Sequence, residues 1–77
     1  MNFNNFDMKI IQLYRNGKPL IGSIGRMHID GRYNLASTIN VIRERNARKE
    51  KNFKHEIATH FKYLGSNFNE IGNLISI

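Results

Sequence analysis

Apolar positions follow strand-like patterns as far as Tyr33 and recur at helical spacing beyond it. From Asp7 to Tyr14, β-branched Ile10 and Ile11 stand beside Leu13 and Tyr14. Alternation places Met8, Ile10 and Tyr14 on one face and Ile11 and Leu13 on the other, which predicts a strand. Arg15-Asn16-Gly17-Lys18 follows, and its Asn-Gly pair tolerates positive φ at both central positions, as a type I′ hairpin turn requires. Pro19 opens the return strand, Leu20 to Ile24, where a missing N–H does least harm on an edge. Gly22, Ser23 and Gly25 loosen that strand, so a bulge or break is expected near Gly25. Met27-His28-Ile29 predicts a short third strand, ended by the turn dipeptide Asp30-Gly31.

The period changes after Tyr33. Asn34 is a candidate N-cap, and Leu35, Ile39 and Ile42 recur at i, i+4 and i+7, predicting a helix from about Leu35 to about Lys49. Asn52 can cap a second helix with the stripe Phe53, Ile57, Phe61 and Leu64, stopped by Gly65 at its C-terminal end. Ser66 or Asn67 can cap a third, short helix in which Phe68, Ile71 and Ile75 share a face. The expected fold is therefore α+β. A small N-terminal antiparallel sheet, made of a hairpin and a short third strand, precedes two longer helices and a short C-terminal helix.

Length bounds this picture. A chain of 77 residues makes one domain, residues 1–77, with the Asn-rich stretch 1–6 expected to be a flexible lead-in. The sequence contains no cysteine, so neither disulfides nor a thiolate zinc site can supplement the core. No apolar run approaches the roughly 20 residues needed to span a bilayer, and residues 1–7 do not read as a signal peptide. A cytoplasmic setting is the expectation, with no membrane partner.

Charge is what singles out a surface. The chain carries a net +6 with a pI near 10.1, a statement about partners rather than fold. The stretch Arg43 to Lys54 holds six of the twelve basic residues against two acids, Glu44 and Glu50. If Arg43, Arg45, Arg48, Lys49, Lys51 and Lys54 converge at the joint between two helices, they can engage phosphates through charge-assisted bonds. The plainer account is a solvated helix end with local pairs such as Glu44–Arg48. Arg15, Lys18, Arg26 and Arg32 fall at turns or strand ends and could extend the footprint. Asn40, Asn46 and Asn52 are candidate base readers, since an amide pairs bidentately with adenine.

Other chemistry finds little support. Helical spacing assigns Phe53, Phe61 and Phe68 to the core rather than to base stacking. His55 and His60, with Glu56 between them, imitate a zinc-protease helix, but their i, i+5 spacing turns the two rings about 140° apart. The serines sit in no nucleophile setting, and Gly22-Ser23-Ile24-Gly25-Arg26 lacks the ending of a P-loop. The chain reads as a binding protein, not an enzyme, with no catalytic, cofactor or metal residue to nominate.

Two patches resemble the KilA-N domain, a small DNA-binding module of phages and large DNA viruses. Tyr14-Arg15-Asn16-Gly17-Lys18-Pro19-Leu20 is similar to its opening hairpin. Ile29-Asp30-Gly31-Arg32-Tyr33-Asn34-Leu35-Ala36 is similar to its strand-to-helix signature. Lys51-Asn52-Phe53, followed by an amphipathic helix, stands where the family has a Phe and then a Trp; no Trp is present here. The resemblance implies a sheet-plus-helices module that binds DNA, encoded by a phage or mobile element. A weaker similarity, over Leu64 to Ile71, is to plasmid mobilisation accessory proteins, some of which use a ribbon-helix-helix fold that the N-terminal hairpin argues against.

Two functions are thus expected to compete. One is a basic module contacting the phosphate backbone of nucleic acid, DNA before RNA, through the 43–54 joint. The other is a phage-encoded inhibitor of the anti-restriction or anti-CRISPR kind, acting in the host-cell cytoplasm on a host protein or nucleoprotein complex. A homodimer is left open.

Overall fold

The computed structural model describes residues 8–77; the lead-in expected over residues 1–6 lies outside the described residues. Six elements follow in chain order: β1 (Met8–Arg15), β2 (Lys18–Pro19), β3 (Arg26–Asp30), α1 (Leu35–Lys49), β4 (His60–Leu64) and β5 (Glu70–Ser76). Short 3-10 turns occupy Gly22–Gly25 and Lys54–Glu56. All strand pairings are antiparallel. β1 is central, with β2 and β3 along one edge, and β4 and then β5 beyond the other.

The hairpin forms as its dipeptide requires. Asn16 and Gly17 both adopt positive φ, and Arg15 pairs with Lys18 across the turn. The return strand does not run through to Ile24. It leaves β1 after Leu20, whose N–H reaches the Leu13 carbonyl at 2.9 Å, and rejoins it where Arg26 pairs with Gln12. The intervening residues loop out around the 3-10 turn, so the break expected near Gly25 is a five-residue excursion. Gln12 braces its neck, with Nε2 donating to the Leu20 carbonyl at 2.9 Å.

The largest correction lies in the C-terminal third. The expected second and third helices are absent, and β4 and β5 stand in their place. The cause is the second edge of β1, whose backbone donors and acceptors need partners once burial removes water. β4 supplies them, with Leu13 opposite Phe61 and Ile11 opposite Tyr63. β5 then extends the sheet through a bulge, which Gly72 accommodates with φ +75.

One layer of helix covers one face of this sheet. Ile11, Leu13, Ile29, Ile42, Ala58 and Phe61 form the core cluster. α1 starts where its cap predicts, because the Asn34 Oδ1 accepts from the Ser37 N–H at 2.8 Å. Its buried line is Thr38, Ile42 and Arg45, turned round the axis from the expected line of Leu35, Ile39 and Ile42. Leu35 is exposed. On the opposite sheet face the Tyr14 hydroxyl donates to the Glu70 carboxylate, which also pairs with Lys62 at 3.0 Å. No helix among the described residues is long and apolar enough to cross a membrane.

Candidate polyanion-binding surface

The basic stretch occupies the end of α1 and the reversal that follows it. The Lys49 carbonyl accepts from the N–H groups of Asn52 (3.2 Å) and Phe53 (2.7 Å), which ends the helix and turns the chain back. Asn46 then holds the returning segment alongside. Its Nδ2 donates to the Ala58 carbonyl at 2.9 Å, and its Oδ1 accepts from the Ala58 N–H at 3.0 Å. Asn46 thereby acts as a strand partner, and its amide is not free to read a base. Asn40 and Asn52 remain exposed.

The six nominated cations do not behave alike. Arg45 points inward and is only 6% exposed. Its Nη1 donates to the Glu56 carbonyl (2.6 Å) and to the Asn46 Oδ1 (2.9 Å), while Nη2 donates to the Ile24 carbonyl (2.8 Å). Burial lowers its pKa, against the charge of Glu56 and with that of Arg48. The guanidinium stays charged, since arginine is not deprotonated in proteins. Arg45 is a structural staple, not a phosphate contact. The expected line of Leu35, Ile39 and Ile42 stops a turn short of Arg45, whereas the buried line runs Thr38, Ile42 and Arg45.

Lys49 is taken up by an acid within the fold. Its Nζ lies 3.1 Å from Glu56 Oε1 and 5.3 Å from the centre of the Phe53 ring. The other four nominated residues, Arg43, Arg48, Lys51 and Lys54, are exposed and have no acidic partner among the described residues. The local pair expected between Glu44 and Arg48 is not among the ion pairs of the described residues. Arg43 and Arg48 project about 140° apart round the helix, so Arg43 is set off from the others.

The hairpin tip joins this end of the molecule. Arg15 Nη1 donates to the Ile57 carbonyl at 3.1 Å, and the Asn16 N–H donates to Thr59 Oγ1 at 2.9 Å. Exposed Lys18, opposite Arg15 in the hairpin, stands at the same end of the sheet as the segment that follows Lys54. Arg32 and Arg26 do not contribute. Arg32 forms a 2.8 Å ion pair with Asp30, holding that carboxylate down at about 2, and Arg26 lies 4.9 Å over the Phe68 ring.

Two aromatic assignments also change. Phe61 is core, but Phe53 is 46% exposed and Phe68 is 49% exposed. The clue for Phe53 was its neighbourhood: the run from Arg43 to His55 offers Ala47 as its only other apolar residue. His55 sits in the 3-10 turn and His60 on β4, so the two do not share a helix at all.

Comparison with known proteins returns no matching family model, no matching curated protein and no matching solved structure.

Proposed function

We propose that this protein binds nucleic acid by its phosphate backbone, through the surface formed by Arg48, Lys51, Lys54 and Lys18, with Arg43 at its flank. The observation that carries this reading is the solvent-facing, acid-free state of those cations beside the hairpin tip. Lone ammonium and guanidinium groups in water are matched well by phosphates, because each contact releases a condensed counterion. Such contacts fix position and register without reading sequence. A DNA ligand and a phage or mobile-element origin are what the hairpin and strand-to-helix resemblance implies, and with a cytoplasmic setting they belong to the same proposal. A catalytic role forms no part of it.

The experiment is a salt titration of binding to random duplex DNA. Four phosphate contacts, or five with Arg43, predict a log–log slope of about −4. Replacing Arg48, Lys51 and Lys54 together by Ala should flatten that slope by about three units while leaving the fold intact. No affinity at low salt, with tight capture of one acidic host protein, would assign the surface to the inhibitor class instead.

A further inference from the structure

We infer that Phe53 is a stacking platform for an unpaired base, so that the ligand of the basic surface is single-stranded nucleic acid. This rests on the phosphate-binding reading above and names its substrate class.

A scattered exposed aromatic needs no explanation. Phe53 differs because of where it stands and how it is held. It lies between Lys51 and Lys54, two of the exposed cations, with Arg48 on the last turn of the preceding helix. Both of its backbone groups are tied down. Its N–H donates to the Lys49 carbonyl at 2.7 Å, and its carbonyl accepts from the Glu56 N–H at 2.8 Å. The ring is steadied by the Lys49 ammonium at 5.3 Å and by the His55 ring, set edge-on at 72° and 6.5 Å. A fixed ring loses little freedom on binding, and 46% of the residue still faces solvent. Phe68 is exposed to a similar degree, but it sits under the Arg26 guanidinium on the β4–β5 connection, away from the joint.

An aromatic ring within a cationic track is the arrangement that binds single strands: phosphates meet the cations while a base stacks on the ring. In a duplex the base faces are already stacked, and reaching one requires flipping it out. The same surface should therefore prefer a single strand at equal phosphate number.

Fluorescence anisotropy with a labelled oligothymidylate and a duplex of equal length tests this. The wild type should bind the single strand more tightly at matched salt. Phe53→Ala should weaken single-strand binding roughly tenfold or more, leave duplex binding and the salt slope unchanged, and melt like the wild type. Phe53→Trp should retain affinity, and its indole, alone in a chain without Trp, should be quenched on binding. If Phe53→Ala binds the oligothymidylate as tightly as the wild type while the triple Ala variant at 48, 51 and 54 loses affinity, stacking is refuted and phosphate binding survives. If the wild type binds neither nucleic acid at low salt, both fall.

Discussion

Arg45 Nη2 donates to the Ile24 carbonyl across 2.8 Å, joining the helix to the excursion of the hairpin's return strand. Together with the bond from Nη1 to the Glu56 carbonyl, one guanidinium ties three segments of the chain together. Arg45→Ala should remove the guanidinium from two half-buried carbonyls and cost about 3 kcal/mol. Arg45→Lys should recover little, because an ammonium lacks the planar fork. Single Ala replacements of Arg48, Lys51 and Lys54 should stay within about 0.5 kcal/mol of wild type. Urea denaturation midpoints check the contrast, and a wild-type midpoint for Arg45→Ala would end the staple's role.

What the amino-acid pattern revealed, and what it hid, follows from where the decisive forces act. The hairpin, the third strand and α1 are specified locally: Asn16-Gly17 by its backbone freedom, α1 by the Asn34 cap. β4 is specified by its pairing with β1, and β5 by its pairing with β4. The spacing of Phe53, Ile57, Phe61 and Leu64 suits a helix, yet Phe61 and Tyr63 also alternate with Lys62, and both rings favour strands. Pairing with the open edge of β1 decides between the two. In β5, the branched Ile71 and Ile75 were the local hints of a strand, and Gly72 the hint of its bulge. The candidate surface was legible as a charge count but not as directions. Whether a cation on α1 faces core or water turns on one step of rotation about the helix, and Arg45 fell on the inner side.

Tyr14 and Glu70 give the protein a stability that depends on pH at both ends. Burial, then the hydrogen bond to Glu70 and the charge of that carboxylate, push the Tyr14 phenol from 10.0 up to about 12. The bond from Tyr14, with a second from Lys62, holds Glu70 below its ordinary range. A raised phenol means the folded state holds the proton more tightly, so this contribution is complete below pH 10 and disappears as pH climbs through about 12. A lowered carboxylate contributes above its ordinary range and is lost on acidification; Asp30, held at about 2 by the Arg32 hydrogen bonds, adds to that acid limb. Tyr14→Phe should flatten the alkaline limb and shrink the acid limb without abolishing it. Denaturation midpoints across the pH range measure both, and an unaltered alkaline limb in Tyr14→Phe would remove the phenol from the account.

Thr38 offers a route to a more stable protein. It is fully buried against the core, and its Oγ1 has no hydrogen-bond partner among the described residues. Valine keeps the branched shape and nearly the same helix propensity while removing the unpaired hydroxyl. Thr38→Val should gain about 1 kcal/mol, raising Tm by about 4–8 °C in a domain of this size. A lower Tm would mean that a buried water satisfies the hydroxyl.

Gly25 closes the excursion that Arg45 anchors. A Cβ at this position would fall on the Leu20 backbone carbonyl and within 2.7 Å of Gln12 Nε2, the pair that braces the excursion's neck. Backbone cannot yield as a flexible side chain does, so Gly25→Ala should cost about 1–3 kcal/mol through displacement of the loop. Gly22→Ala is the contrast: open space surrounds its Cβ, and only the φ of +72 opposes it, a strain of about 1–2 kcal/mol. Displacing Gly25 also moves the neighbouring Ile24 carbonyl away from Arg45. The costs of Gly25→Ala and Arg45→Ala should therefore not add, and the double variant should lose less than the two single losses combined. Strict additivity in a double-mutant cycle would show that the excursion and the helix are held independently.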